Sequence, residues 1–228
     1  MLQAWISGVG AVLETDIRVF RERRPHIYGE QAAKGKRSEM LLKRIVAAAF
    51  AGLLALAVMA PVALAEERVC RGTIGPTTVD NLRVPQNASC TLNGTKVQGT
   101  VKVENGARLV ASGVRVIGNV QSEGFQSITL REGSRVGGSV QLENGLSGGT
   151  GKVIQTRING DLQFEANRAK MVARGSTILA NLQVFQNTGG VVLQNNRIAE
   201  NLQCKQNNPP PTGGGNQAGD KEGQCVAL

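Results

Sequence analysis

The chain has 228 residues and a formal net charge of +9, and aromatic residues make up only 3% of it. Its one histidine, one tryptophan and one tyrosine are His26, Trp5 and Tyr28, so residues 66–228 contain none of the three. That part of the chain lacks the imidazole of Ser-His-Asp and Cys-His catalysis, a histidine ligand for a metal, and the rings on which proteins usually stack sugars. We therefore expect no enzyme activity, no metal and no cofactor.

The first 65 residues read as two segments that precede the working part of the chain. Residues 1–39 are polar and without a period, and we interpret them as a disordered extension or as a start assigned too early, with Met40 the true start. Residues 40–65 predict a signal peptide, because Lys43 and Arg44 precede an uncharged stretch that ends in a small-x-small site at Ala65. An uncleaved membrane anchor is the alternative, since the stretch is long enough to span a bilayer. Cleavage predicts a secreted or periplasmic protein.

A repeat of about twenty residues governs the chain from Asp80 to Asn207. Its seven copies are anchored by an apolar residue, namely Leu82, Val101, Val120, Val140, Leu162, Leu182 and Leu202. Apolar residues also tend to occur four before and two after the anchor, and this alternation is typical of strands. A repeat this short cannot bury a core alone, so the copies must stack. We predict an all-β fold, a single-stranded parallel β-helix of about seven coils with ~20 residues each, over residues 66–206.

The residues four before the anchors, from the second copy onward, are expected to form one inward stack. They are all β-branched, namely Val97, Val116, Val136, Ile158, Ile178 and Ile198, and the first copy has Thr78 at this position. We expect these side chains to lie on top of one another in the core of the coil.

Stacking also turns three polar positions of the repeat into rows on the surface. Five places before the anchor are Lys96, Arg115, Arg135, Arg157 and Arg197, which we name the cation row, with Thr177 as a gap. One place after it are Arg83, Lys102, Gln121, Gln141, Gln163, Gln183 and Gln203, and three places after it are Glu104, Glu123, Glu143 and Glu165, followed by Phe185 and Lys205. Repetition alone can produce such rows. The cation row is nevertheless the candidate ligand-binding site, because stacked like charges repel each other and a bound polyanion would relieve them.

The end of the chain and its cysteines predict a closed rod. Residues 207–228 are rich in Pro and Gly and read as a loop and a C-terminal cap. The four cysteines form two pairs one coil apart, Cys70 with Cys90 and Cys204 with Cys225. Equivalent positions on neighbouring coils lie within reach of a disulfide, whereas the crossed pairings would span most of the rod. We therefore predict a disulfide at each end.

The phrase V/I-x-G-(N/D/S)-V/L, as in Val116–Val120 and Ile158–Leu162, resembles the coil of bactofilins, which are polymer-forming bacterial β-helices. The resemblance implies the fold. This chain departs from it in its export signal, its disulfide-closed ends and its longer coil.

The sequence favours an exported, non-enzymatic structural or binding module of the cell envelope, whose partner is an acidic glycan, another envelope polyanion, or a second copy through the side rows. The alternative is a carbohydrate-active enzyme. Residues 66–228 carry 17 Lys+Arg against 12 Asp+Glu, and we expect no nucleic-acid partner.

Overall fold

The computed structural model describes residues 66–228, so the predictions for residues 1–39 and 40–65 lie outside the described residues. Within 66–228 the chain forms short strands and no helix. No helix in this part of the chain is therefore long and apolar enough to cross a membrane.

The strands assemble into three parallel sheets that run the length of a rod. The first sheet contains β1 (Glu67–Val69), β4 (Asn81–Val84), β7 (Val101–Val103), β10 (Val120–Glu123), β13 (Val140–Glu143), β16 (Leu162–Glu165), β19 (Leu182–Phe185), β22 (Asn201–Lys205) and β24 (Asp220–Gly223). The second contains β2 (Thr73–Ile74), β5 (Ser89–Asn93), β8 (Arg108–Ser112), β11 (Ser127–Arg131), β14 (Thr150–Ile154), β17 (Lys170–Arg174), β20 (Val191–Gln194) and β23 (Thr212–Gly214). The third contains β3 (Thr78–Val79), β6 (Lys96–Val97), β9 (Arg115–Val116), β12 (Arg135–Val136), β15 (Arg157–Ile158), β18 (Thr177–Ile178) and β21 (Arg197–Ile198).

Every complete coil contributes one strand to each sheet and pairs in parallel with the coils before and after it. The predicted anchors pair with one another in order, from Leu82 with Val101 to Leu182 with Leu202. The fold is thus a β-solenoid of about eight turns with about twenty residues per turn, which confirms the predicted fold class. The additional turn comes from the two ends of the chain: β1 and β2 precede the first anchor, and β23 and β24 continue the coil after Asn207.

The predicted inward stack is confirmed, since all six residues from Val97 to Ile198 are buried. In the first coil the stack continues through Val79, which pairs with Val97 and is buried, while Thr78 pairs with Lys96 and is exposed. The reason is a shorter first corner, because only two residues separate Val79 from Leu82 whereas three separate Val97 from Val101.

Small residues before the anchors allow the coils to approach each other at the corner between the third and the first sheet. A Cβ atom added to Gly118 would lie 2.6 Å from the carbonyl oxygen of Gly99, and one added to Gly160 would lie 2.9 Å from the carbonyl carbon of Gly138. Neither contact is tolerable for a real Cβ, so the backbones of successive coils pack directly against each other here.

Buried polar side chains stack inside the other two corners. Asn167, Asn187 and Asn207 follow the strands of the first sheet, and each donates from Nδ2 both to a backbone carbonyl and to the amide oxygen on the next coil. Asn196 makes the same pair of bonds at the corner after the second sheet, to Ala173 O and Asn216 Oδ1. All four side chains are almost completely buried. These ladders satisfy backbone groups that the turns leave without a strand partner.

The two predicted disulfides are confirmed. Cys70 is bonded to Cys90 with their Cα atoms 5.6 Å apart, and Cys204 is bonded to Cys225 with their Cα atoms 5.3 Å apart. Each bond joins neighbouring turns near one end of the rod. The terminal turns, which have a neighbour on one side only, are therefore covalently attached to the turns beneath them.

Candidate functional site

The cation row lies on the third sheet as a straight line of exposed side chains. Lys96 pairs with Arg115, Arg115 with Arg135 and Arg135 with Arg157, so four consecutive coils each contribute one cation. Thr177 occupies the next coil and Arg197 the one after it. Because neighbouring strands are about 4.8 Å apart, the row presents positive charges at that repeat.

No acidic side chain within residues 66–228 neutralises the cation row. Ion pairs within residues 66–228 involve only Arg83, with Glu67 and Glu104, and Arg131, with Glu132. The five members of the row make no side-chain hydrogen bond in this part of the chain either. Their charges are therefore directed to solvent and are free to meet an external anion.

The middle of the cation row borders a shallow groove. It has a volume of about 390 Å³ and is lined by Arg115, Arg135 and Arg157 together with Ile117, Gly137 and Asn159. Gly137 leaves backbone exposed beside the arginines, two residues past Arg135, and Ile117 on the neighbouring coil is 45% exposed. The groove thus combines guanidinium groups with a small apolar surface, an arrangement that suits a ligand with anionic groups on an extended backbone.

The second sheet carries five further exposed cations that the repeat did not reveal. They are Arg108, Arg131, Lys152, Lys170 and Arg174, all at outward positions of their strands. They occupy three different columns of the sheet, because Arg108 is in line with Ser127, Thr150 and Lys170, and Arg174 with Ile154. A count of charges by strand would have found this basic sheet, whereas a search for a repeated position could not.

Arg174 compensates for the gap in the cation row. It belongs to the same coil as Thr177 and lies three residues before it, around the corner between the second and the third sheet. The only acidic residue on these two sheets or on the corner between them is Glu132, which is paired with Arg131. The second and third sheets therefore form one continuous basic surface.

The glutamine side chains on the first sheet form a hydrogen-bonded ladder. Each Nε2 donates to the Oε1 of the next coil from Gln121 to Gln203, at distances between 2.7 and 3.2 Å. The ladder continues from Gln203 to the carboxylate of Glu222 at 3.2 Å. These amides use their donors within the rod, which supports a stabilising role for this row.

The glutamates on the first sheet, Glu104, Glu123, Glu143 and Glu165, form what we name the glutamate row. Three of them border an open groove of about 780 Å³ that also contacts Lys102 and Arg168. Glu104 accepts hydrogen bonds from Arg83 and from the backbone of Gln86, whereas the other three carboxylates have no bonded partner among the residues of the solenoid. Partial burial raises the pKa of Glu143, and the neighbouring charges of Glu165 and Glu123 raise it further.

Negative charge is thus confined largely to one side of the rod, which also carries cations such as Arg83, Lys102 and Lys205. Apart from Glu132, every acidic residue of 66–228 lies on the first sheet or at the corner that leads into it, and ten cations lie on the other two sheets. Within the same residues, no group of three or more His, Cys, Asp or Glu side chains is arranged to hold a metal ion.

Comparison of the chain with protein-family models, with curated proteins and with solved structures gave no match. The resemblance to bactofilins therefore rests on the coil phrase alone, and the part of it that the structure supports is the solenoid fold.

Proposed function

We propose that this chain is an exported, non-enzymatic module of the cell envelope or the extracellular space, and that it binds an extended polyanion along the cation row. The observation that carries the proposal is the row itself: four consecutive coils and one further coil hold exposed cations in register, and none of them has an acidic partner. The ligand class is an acidic glycan or a phosphorylated envelope polymer, whose charges repeat along a flexible backbone.

The energetics favour a ligand that contacts many coils at once. An exposed ion pair contributes under about 1 kcal/mol, so a single contact gives no useful affinity. A polymer that meets five cations gains from the high effective concentration of each further charge once the first is bound. Binding of this kind is strongest at low ionic strength and for long ligands, and it is weak for the corresponding monosaccharide or for inorganic phosphate.

Export is supported by the chemistry of the cysteines and by the segment before residue 66. Two disulfides form and persist in an oxidising compartment such as the periplasm or the outside of the cell. Residues 40–65 have the charge, apolar stretch and cleavage motif of a signal peptide. Mass spectrometry of the native protein tests this part: we expect an N-terminus at Glu66, and recovery of an intact apolar segment in the membrane fraction would contradict it.

The binding proposal is tested with immobilised polyuronate and polyglutamate as probes. We expect the native protein to bind both at low salt, and the combined variant Arg115→Gln, Arg135→Gln and Arg157→Gln to lose at least tenfold in affinity. The matched control changes the same charge elsewhere, with Arg68→Gln, Arg71→Gln and Lys205→Gln, and should lose less than threefold. Equal losses in the two variants would show that only net charge matters and would refute the row as a site.

A carbohydrate-active enzyme is the second candidate, and the groove on the first sheet is the observation that favours it. Glu143 has a raised pKa and borders a groove long enough for several sugar rings, as a general acid requires. The carboxylates lie side by side on one sheet, however, instead of on opposite walls of a cleft. Release of reducing ends or unsaturated products from a polysaccharide panel, abolished by Glu143→Gln, would establish the enzyme and replace the first proposal.

A further inference from the structure

The glutamate row and the cation row are two faces of the same four coils. Lys96 and Glu104 belong to one coil, and the pairs Arg115 with Glu123, Arg135 with Glu143 and Arg157 with Glu165 belong to the next three. Each pair is separated by eight residues and by the corner between the third and the first sheet. Four cations and four carboxylates therefore occupy the same height along the rod, on different sides of it.

We propose that the glutamate row of one molecule binds the cation row of a second copy, so that the rods associate side by side. This inference rests on the proposed function, because it uses the cation row as the anion-binding surface and names a partner for it. Both rows have one charge per coil, so their repeats match by construction at about 4.8 Å. A second rod that is shifted sideways and turned about its own axis, without sliding along it, brings the glutamate row of one molecule opposite the cation row of the other.

Apart from Glu104, which pairs with Arg83, neither row has a charged partner within residues 66–228, so association satisfies charges that folding leaves unpaired. Glu123, Glu143 and Glu165 make no ion pair within the solenoid, and neither do Arg115, Arg135 and Arg157. Burial first, and then the negative charges of Glu165 and Glu123, raise the pKa of Glu143, so a cation from a second rod would relieve repulsion within the glutamate row. The groove beside the glutamates is open to solvent and is large enough to admit guanidinium groups from outside. Lys102 and Arg168 also border this groove, and they would weaken the attraction at its edges.

The contact uses a different row on each partner, so further rods add only in the sideways direction. The two rows lie on different sheets, so the contact is heterologous and leaves a free row of each sign on the outer rods until a ring closes. End-to-end growth is opposed by the disulfide-bonded terminal turns and by the charged edge strand β24, which carries Asp220, Lys221 and Glu222. The expected product is a lateral assembly of rods one molecule long, either an open row or a closed ring.

Sedimentation velocity of the exported protein with both disulfides formed tests this inference. We expect the average mass of the native protein to rise with concentration at low salt, and to return to the monomer at high salt. Two variants should each remain monomeric. The glutamate-row variant carries Glu123→Gln, Glu143→Gln and Glu165→Gln, and the cation-row variant carries Arg115→Gln, Arg135→Gln and Arg157→Gln. An equimolar mixture of the two variants should form dimers and nothing larger, because each partner brings only one working row.

The controls separate this inference from the proposed function and from a loss of folding. A variant with Glu66→Gln, Asp80→Asn and Glu132→Gln changes the charge equally and should still associate. The glutamate-row variant should keep its affinity for polyglutamate within threefold, and its thermal midpoint should be no lower than that of the native protein. Self-association is overturned if the native protein stays monomeric at low salt, or if the mixture of the two variants does not dimerise. If the same samples still bind polyanions, the proposed function remains in place. If the native protein does not bind polyglutamate at low salt, both the proposed function and self-association through the cation row are refuted.

Discussion

Truncation of the buried ladder at Asn187 should destabilise the solenoid far more than truncation of the glutamine ladder on its surface. Asn187 is fully buried, and its Nδ2 donates to Phe164 O at 2.8 Å and to Asn207 Oδ1 at 2.9 Å. Its Oδ1 accepts from the backbone N of Asn167 at 3.1 Å and from its Nδ2 at 2.9 Å. Replacement by Ala removes four hydrogen bonds and takes an acceptor from two buried donors of Asn167.

The magnitude follows from those two donors. A buried donor without a partner costs about 1–3 kcal/mol, so the loss of an acceptor for two such donors in Asn187→Ala should lower the free energy of unfolding by about 2–6 kcal/mol. Gln183 is the matched control, because it also bonds to the coils on both sides, at 2.7 and 3.2 Å, but is partly exposed to water. Gln183→Ala should cost within about 1 kcal/mol, since water replaces the lost partners.

Urea denaturation followed by circular dichroism measures both variants in the same conditions. We expect the midpoint of Asn187→Ala to fall well below that of Gln183→Ala, with similar slopes. If the two midpoints differ by less than the experimental error, the buried asparagines are not what satisfies the backbone hydrogen-bonding groups at the corners of the coil.

Three further predictions concern single positions. Ile158→Asp places an unpaired charge in the core and should cost several kcal/mol, whereas Gln163→Ala should stay within about 1 kcal/mol; equal thermal shifts would show that the faces are assigned wrongly. Ala166 has a φ of 52°, so Ala166→Gly should raise the free energy of unfolding by about 0.5 kcal/mol, and a clear destabilisation would contradict the left-handed turn. The raised pKa of Glu143 means that the folded state binds its proton more tightly than the unfolded chain does, so this group favours folding below its unfolded pKa and loses that contribution as pH rises through the folded value. Glu143→Gln should therefore be more stable than the native protein at neutral pH, by under about 1 kcal/mol, with the difference vanishing in acid; a less stable variant at neutral pH would show that the carboxylate is compensated.

The fold was predictable because one apolar residue marks each coil. The anchors from Leu82 to Leu202 recur at nearly constant spacing, and a parallel solenoid has no other way to bury them than to stack them. Val79 was missed because the first corner is one residue shorter, and a fixed offset from the anchor leads to the exposed Thr78 instead. Asn187 and its neighbours were missed because Asn after a strand reads as a turn residue, and nothing in the sequence says that the turn points its side chain inward.

The candidate site was only partly predictable. The cation row shares one repeat position, so its register followed from the anchors alone. The basic second sheet did not follow from the anchors. Its cations, such as Lys152 and Arg174, occupy different positions in different coils, so no single repeat position contains them. The missing acidic partners of the row were likewise invisible, since pairing depends on which sheets face each other.

The dependence of polyglutamate binding on salt tests whether the cation row is the surface that binds polyanions. Release of counterions makes the logarithm of the binding constant fall linearly with the logarithm of salt concentration, with a slope of about −0.7 for each cation that meets a flexible polyanion. For the native protein we expect a slope of about −3.5, from the five members of the cation row, and for the variant with Arg115→Gln, Arg135→Gln and Arg157→Gln a slope of about −1.5. Equal slopes for the two proteins, or no binding by the native protein at low salt, would contradict the claim that this row is the binding surface.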